Sequence, residues 1–75
     1  MINKIKQILS EVLEIELNQI NDEFNQNDCT KWDSIHHLNL VVDLETEFDI
    51  DLEPEEIAIM TSLSEIISIV KQKTS

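Results

Sequence analysis

The chain contains no glycine, and its one proline is Pro54. Glycine enters left-handed backbone at no steric cost, and two-residue hairpin turns rely on it or on Asn for that reason. Without it, 75 residues are poorly supplied for hairpins and strained turns. What remains is helices joined by irregular connections. A chain this short has room for one domain, 1–75, and buries roughly 60% of the surface its unfolded form exposes.

Periodicity places the helices. Ile2, Ile5, Leu9 and Val12 recur at spacings of three and four, with Ile8 widening the stripe, which predicts an amphipathic helix over 2–14. From Glu16 to Asp33 the period fails, and "NQINDEFNQND" is rich in Asn and Asp, whose side chains compete with helix for the local backbone. This is read as a long loop without regular structure, pinned to the core by Leu17, Ile20 and Phe24. Such loops are uncommon in compact domains and are often functional. A second helix is expected from Asp33 or Ser34 to Phe48. Its core side is read as Ile35, Leu38, Val41, Val42, Leu44 and Phe48, with His36, Asn39, Asp43, Thr46 and Glu47 opposite. Pro54 suits a first helical position and the acids after it suit the positive end of a helix dipole, so a short third helix is expected over 54–60. "SLSE" at 62–65 has the capping-box pattern, and Leu63, Ile66, Ile67 and Val70 mark a fourth helix ending near Lys71 and Lys73. The expected fold is all-α: a small four-helix bundle with a long loop between helices 1 and 2 and a short third helix.

Charge narrows the partners. Sixteen acids stand against five lysines, for a formal charge of −11, and no Lys or Arg lies between Lys31 and Lys71. A phosphate backbone or an anionic membrane is repelled by such a surface, whereas a protein with a basic docking patch is steered toward it. No apolar run approaches bilayer-spanning length, and "MINKIKQILS" lacks the apolar core of a signal peptide. One cysteine, Cys29, precludes an internal disulfide and fits a reducing compartment. A cytoplasmic monomer is expected.

Catalytic constellations are missing. Asp33, Ser34, His36 and His37 are too close along one helix to align as orienter, base and nucleophile. His36 and His37 are adjacent rather than one turn apart, which makes a poor metal site. "DIDLEPEEIAIM" has acids at the first, third and fifth places of a calcium loop, but Pro54 stands where glycine is needed and Met60 where a bidentate glutamate is needed. Cys29 lies beside Lys31 in a polar loop and has no base nearby in sequence, so it is read as incidental. Ser34 is different. A helix N-terminus offers free N–H groups and partial positive charge to a phosphate, and Asp33 before it is suited to cap the helix. Taken alone, those residues are read as a plain helix cap.

The run "DSIHHLNLVVDLETEFDIDLEPEEI", followed by "TSLSEIISIV", resembles the acyl carrier protein family over essentially the whole chain. The family's hallmark is D-S-L/I at the start of the second helix, then an apolar stretch ending in L-E-x-E-F. An acidic link, a short third helix and a T/S-x-x-E/D start to the last helix follow. The resemblance implies that Ser34 is esterified by 4′-phosphopantetheine from coenzyme A through a separate Mg²⁺-dependent phosphopantetheinyl transferase, with Asp33 serving as cap and in transferase recognition. The arm's thiol then carries acyl groups as thioesters. It further implies an acyl- or aminoacyl-loading ligase and synthase or acyltransferase partners with basic patches. These would read Ile35, His36, Asn39, Val42, Asp43, Glu45, Thr46 and Glu47. Fatty-acid-type carriers usually place acids two and five residues beyond the serine, where this chain has His36 and Asn39. The W-D-S-x-x-H-L run looks more like discrete carriers of specialised pathways. Two alternatives stay open: an aminoacyl or peptidyl carrier, and a cofactor-free acidic helical adaptor.

Overall fold

The computed structural model describes residues 1–74. Four α-helices follow one another: α1 (Ile2–Leu13), α2 (Ser34–Phe48), α3 (Pro54–Ile59) and α4 (Leu63–Thr74). Helix α1 packs on both α2 and α4. The apolar sides of the long helices meet in one core, with Ile5, Leu9 and Leu13 from α1, Leu40 and Leu44 from α2, and Leu63, Ile66 and Val70 from α4 fully or almost fully enclosed. Burying each such side chain stabilises the fold by about 1.5–3 kcal/mol. Met60, Leu52, Ile20, Phe24 and Trp32 complete the core from the connections.

The connection from α1 to α2 is more ordered than its sequence suggests. It contains two single 3₁₀ turns, Leu17–Gln19 and Gln26–Asp28, each closed by side chains bonding the local backbone. An isolated antiparallel bridge straps it to the segment before α4: Gln26 N–H donates to Thr61 O at 2.8 Å and Leu63 N–H to Phe24 O at 2.9 Å. Ile20 and Phe24 anchor it as expected, but Leu17 is exposed and anchors nothing. The third anchor is Trp32, stacked on Phe24 with ring centroids 5.8 Å apart.

Three expected core positions of α2 are corrected. Ile35, Leu38 and Val42 are 69%, 60% and 57% exposed. The helix buries Val41 and Leu44 as expected and adds Leu40, with Phe48 and His37 half-buried on the same side. Apolar residues run almost around α2, so neither their count nor their spacing chooses a face; packing against the rest of the core selects the stripe through 37, 40, 41, 44 and 48. On α1, Ile2 is likewise exposed and lies outside the buried stripe. Helix α3 stops at Ile59, one residue short of the expected end.

Without glycine, two helices close on unusual residues. Glu14 (φ 56°) and Asp49 (φ 53°) adopt the left-handed cap conformation after α1 and α2. Short helix α3 is held at two points: Lys73 Nζ lies 2.8 Å from Glu56 Oε1, and His37 Nε2 lies 2.8 Å from Ile57 O. Pairing with Lys73 holds the Glu56 carboxyl below its ordinary range and the Lys73 ammonium above its own.

Candidate functional site

The site is built by the entry into α2. Trp32 is buried against Phe24, and Gln26 Nε2–H donates to Trp32 O at 2.9 Å, which sets where the chain leaves the loop. Asp33 follows in extended conformation and caps the helix: its Oδ1 accepts the His36 N–H at 2.9 Å. Oδ1 also accepts from His36 Nδ1 at 2.7 Å. The backbone N–H of His36, and then its ring, hold the Asp33 carboxyl below its ordinary range, so it is an anion at neutral pH.

Ser34 is the first residue of α2 and is exposed. Among the described residues no hydrogen bond engages its hydroxyl, and the first N–H groups of a helix have no acceptor within it. Among the described residues no base serves Ser34 either. His36 is held by Asp33, and His37 is engaged through both ring nitrogens, to Trp32 and to Ile57. The serine is therefore displayed but not activated. An exposed hydroxyl beside free N–H groups at the positive end of a fifteen-residue helix suits a phosphoester.

Beyond Ser34 the outer face of α2 carries the exposed apolar residues Ile35, Leu38 and Val42, together with exposed Asn39, Thr46, Asp43 and Glu47. Ile35 and Val42, expected both in the core and at a partner face, lie only on the outside. A groove of about 400 Å³ runs between this face and the end of α1, lined by His36, Asn39, Val42 and Asp43 on one side and Glu11, Val12 and Glu14 on the other. Glu45 differs from its neighbours: it is half-buried, and its Oε2 accepts the Leu52 N–H at 2.9 Å, bracing the link to α3. The larger cleft, about 480 Å³, is lined by Ile15, Phe24, Cys29 and polar loop residues and by no residue of α2, so it is separate from the serine. Cys29 is buried with the core cluster rather than displayed by its loop.

Sequence reasoning missed three contributors: Trp32 as the anchor, His37 as a bridge, and the α1 wall of the groove. Trp32 and His37 stand five apart around the start of α2, and their polar ring atoms on an apolar background were the available signal. Among the described residues no group of three His, Cys, Asp or Glu side chains is arranged to hold a metal ion. No helix among them is long and apolar enough to cross a membrane.

No family model matches the chain. Three curated relatives align over nearly its full length. It is 28% identical over 71 residues to an acyl carrier protein of Thermotoga maritima, covering 95% of this chain and 88% of the relative. It is 31% identical over 72 residues to an acyl carrier protein of Picosynechococcus sp., covering 96% and 89%. It is 31% identical over 71 residues to an acyl carrier protein of Clostridium acetobutylicum, covering 95% and 92%. The solution NMR structure of holo acyl carrier protein from Geobacter metallireducens superposes with a TM-score of 0.84 at 25% identity, over 96% of this chain and 83% of that one.

Proposed function

The chain belongs to the acyl carrier protein family, and from that premise we propose that Ser34 bears a 4′-phosphopantetheine arm derived from coenzyme A. As a family member it is a carrier rather than a catalyst. The observation that carries the reading is the placement of Ser34: exposed, unbonded through its hydroxyl, and first in α2 directly after the capping Asp33. Once bound, the arm supplies a terminal thiol that holds acyl groups as thioesters. The chain's own residues hold its root. Ser34 Oγ forms the ester, the first N–H groups of α2 face its phosphate region, and Asp33 fixes the helix start through His36.

The outer face of α2 is the surface that partners read. Exposed Ile35, Leu38 and Val42 give it an apolar centre, and Asp43 and Glu47 an anionic border. A partner with basic residues around an apolar contact fits both, and steering by the overall charge of −11 speeds an encounter that must also dissociate readily. Such partners are a Mg²⁺-dependent phosphopantetheinyl transferase, a loading ligase, and synthases or acyltransferases. His36 and Asn39 stand two and five residues beyond Ser34, where fatty-acid-type carriers usually place acids, which favours a discrete carrier of a specialised pathway over the housekeeping fatty-acid carrier.

The test is labelling by a promiscuous phosphopantetheinyl transferase with Mg²⁺ and a fluorescent coenzyme A analogue. Label is expected on the wild type and not on Ser34→Ala. Equal labelling of both proteins, or none on folded wild type, contradicts the assignment.

A further inference from the structure

We propose that His37 is a proton-operated latch that couples the Ser34 end of α2 to α3. Its ring is half-buried, and both nitrogens are engaged. Trp32 Nε1–H can only donate, and it lies 2.9 Å from His37 Nδ1, so Nδ1 presents its lone pair. His37 Nε2 lies 2.8 Å from Ile57 O, which can only accept, so Nε2 carries the hydrogen. The two bonds together admit one form of the ring: neutral, with its proton on Nε2. His36 next to it is the opposite case, because its Nδ1 faces the Asp33 carboxylate and must itself carry a hydrogen.

A second proton on His37 goes to Nδ1. The 2.9 Å contact then sets two N–H groups against each other, and the bond to Trp32 is lost. Charged groups on the surrounding elements do not hold the cation in place. Asp33 and His36 at the helix start are bonded to each other, and on α3 Glu56 is paired with Lys73. Asp51, Glu53 and Glu55 on and before α3, and Lys31 before Trp32, are the other charged groups on those elements. Among the described residues none of these groups lies within hydrogen-bond or ion-pair distance of the His37 ring. Nε2–H can still donate to Ile57 O, but the half-buried ring now also holds an Nδ1–H without an acceptor, and the turn that takes this N–H to water breaks the bond to Ile57. Among the described residues that bond is the one hydrogen bond between α2 and α3, so its loss unties α3 from α2 and leaves the Lys73–Glu56 pair to hold it.

Trp32 is the only tryptophan, so its emission reports the latch directly. A single-proton step in that emission is expected on acidification from about pH 8 in wild type and in His36→Gln, and no step in His37→Asn. Over the same range, exchange protection of the Ile57 and Met60 amides should fall about three- to tenfold in wild type after correction for intrinsic rates, as expected for one net hydrogen bond. Nitrogen NMR of the wild-type ring at the alkaline end should find the proton on Nε2, a readout that needs no variant to fold. A proton on Nδ1 there, no step in wild type, a step that persists in folded His37→Asn, or a step without change at α3 would each overturn the latch.

Discussion

Glu45 reaches seven residues along the chain to Leu52, its Oε2 accepting the Leu52 backbone N–H at 2.9 Å. The bond ties the last turn of α2 to the link that leads into α3, and Leu52 is itself buried. A position that reads as one more surface acid is thus a brace. Glu45→Ala leaves a part-buried N–H without its acceptor and should destabilise the fold by about 1–2 kcal/mol, with Glu45→Gln recovering most of the loss. Exposed Asp43→Ala should change stability by less than about 0.5 kcal/mol. Urea unfolding of the three variants decides it; equal effects at the two positions would remove the brace from the account.

Leu38 and Leu40 stand two residues apart and differ completely, 60% against 0% exposed. Leu40→Ala should cost about 2–5 kcal/mol, enough to unfold much of a chain this small. Leu38→Ala should leave the melting temperature almost unchanged while weakening capture by a partner enzyme, read as a raised KM for the carrier. Comparable destabilisation by both would place α2 in the wrong rotation.

These two leucines show where reading the sequence reached its limit. The lack of glycine, the repeats at three and four, Pro54 and the Ser62 cap place all four helices to within a residue or two. The Asp33–Ser34 start of α2 is legible because capping chemistry is local. The rotation of α2 is not, because its apolar side chains run almost around the helix and only what packs against it chooses the buried side. The order of the long loop is not legible either. It depends on backbone bonds from Phe24 and Gln26 to Leu63 and Thr61, partners nearly forty residues away whose side chains give no local signal.

Glu14 and Asp49 hold left-handed caps that glycine fills more comfortably. Glu14→Gly and Asp49→Gly should each stabilise the fold by up to about 1 kcal/mol, a rise of several degrees in Tm, with Glu14 gaining more because Asp tolerates this conformation better. Calorimetry reads both. A fall in Tm for Glu14→Gly would mean that its side chain matters more than its backbone.

Asp33 gives stability a sign with pH. Because the His36 N–H, and then the His36 ring, hold its carboxyl below the ordinary range, the ionised form adds stability at neutral pH. That contribution is present above the unfolded-state value and is lost as pH falls through the lower folded one. Asp33→Ala should therefore melt several degrees below wild type at neutral pH, and the gap should close in strong acid. A gap that stays constant down to acid would assign the loss to something other than the charged cap.

The central claim is that the Ser34 hydroxyl is the anchor of the arm. Intact mass and fragment mapping of protein co-produced with an active phosphopantetheinyl transferase test it most directly. The account predicts one phosphopantetheine per chain, localised to Ser34 and missing from Ser34→Ala. A folded wild-type chain that stays unmodified, or that carries the group at another residue, would contradict it.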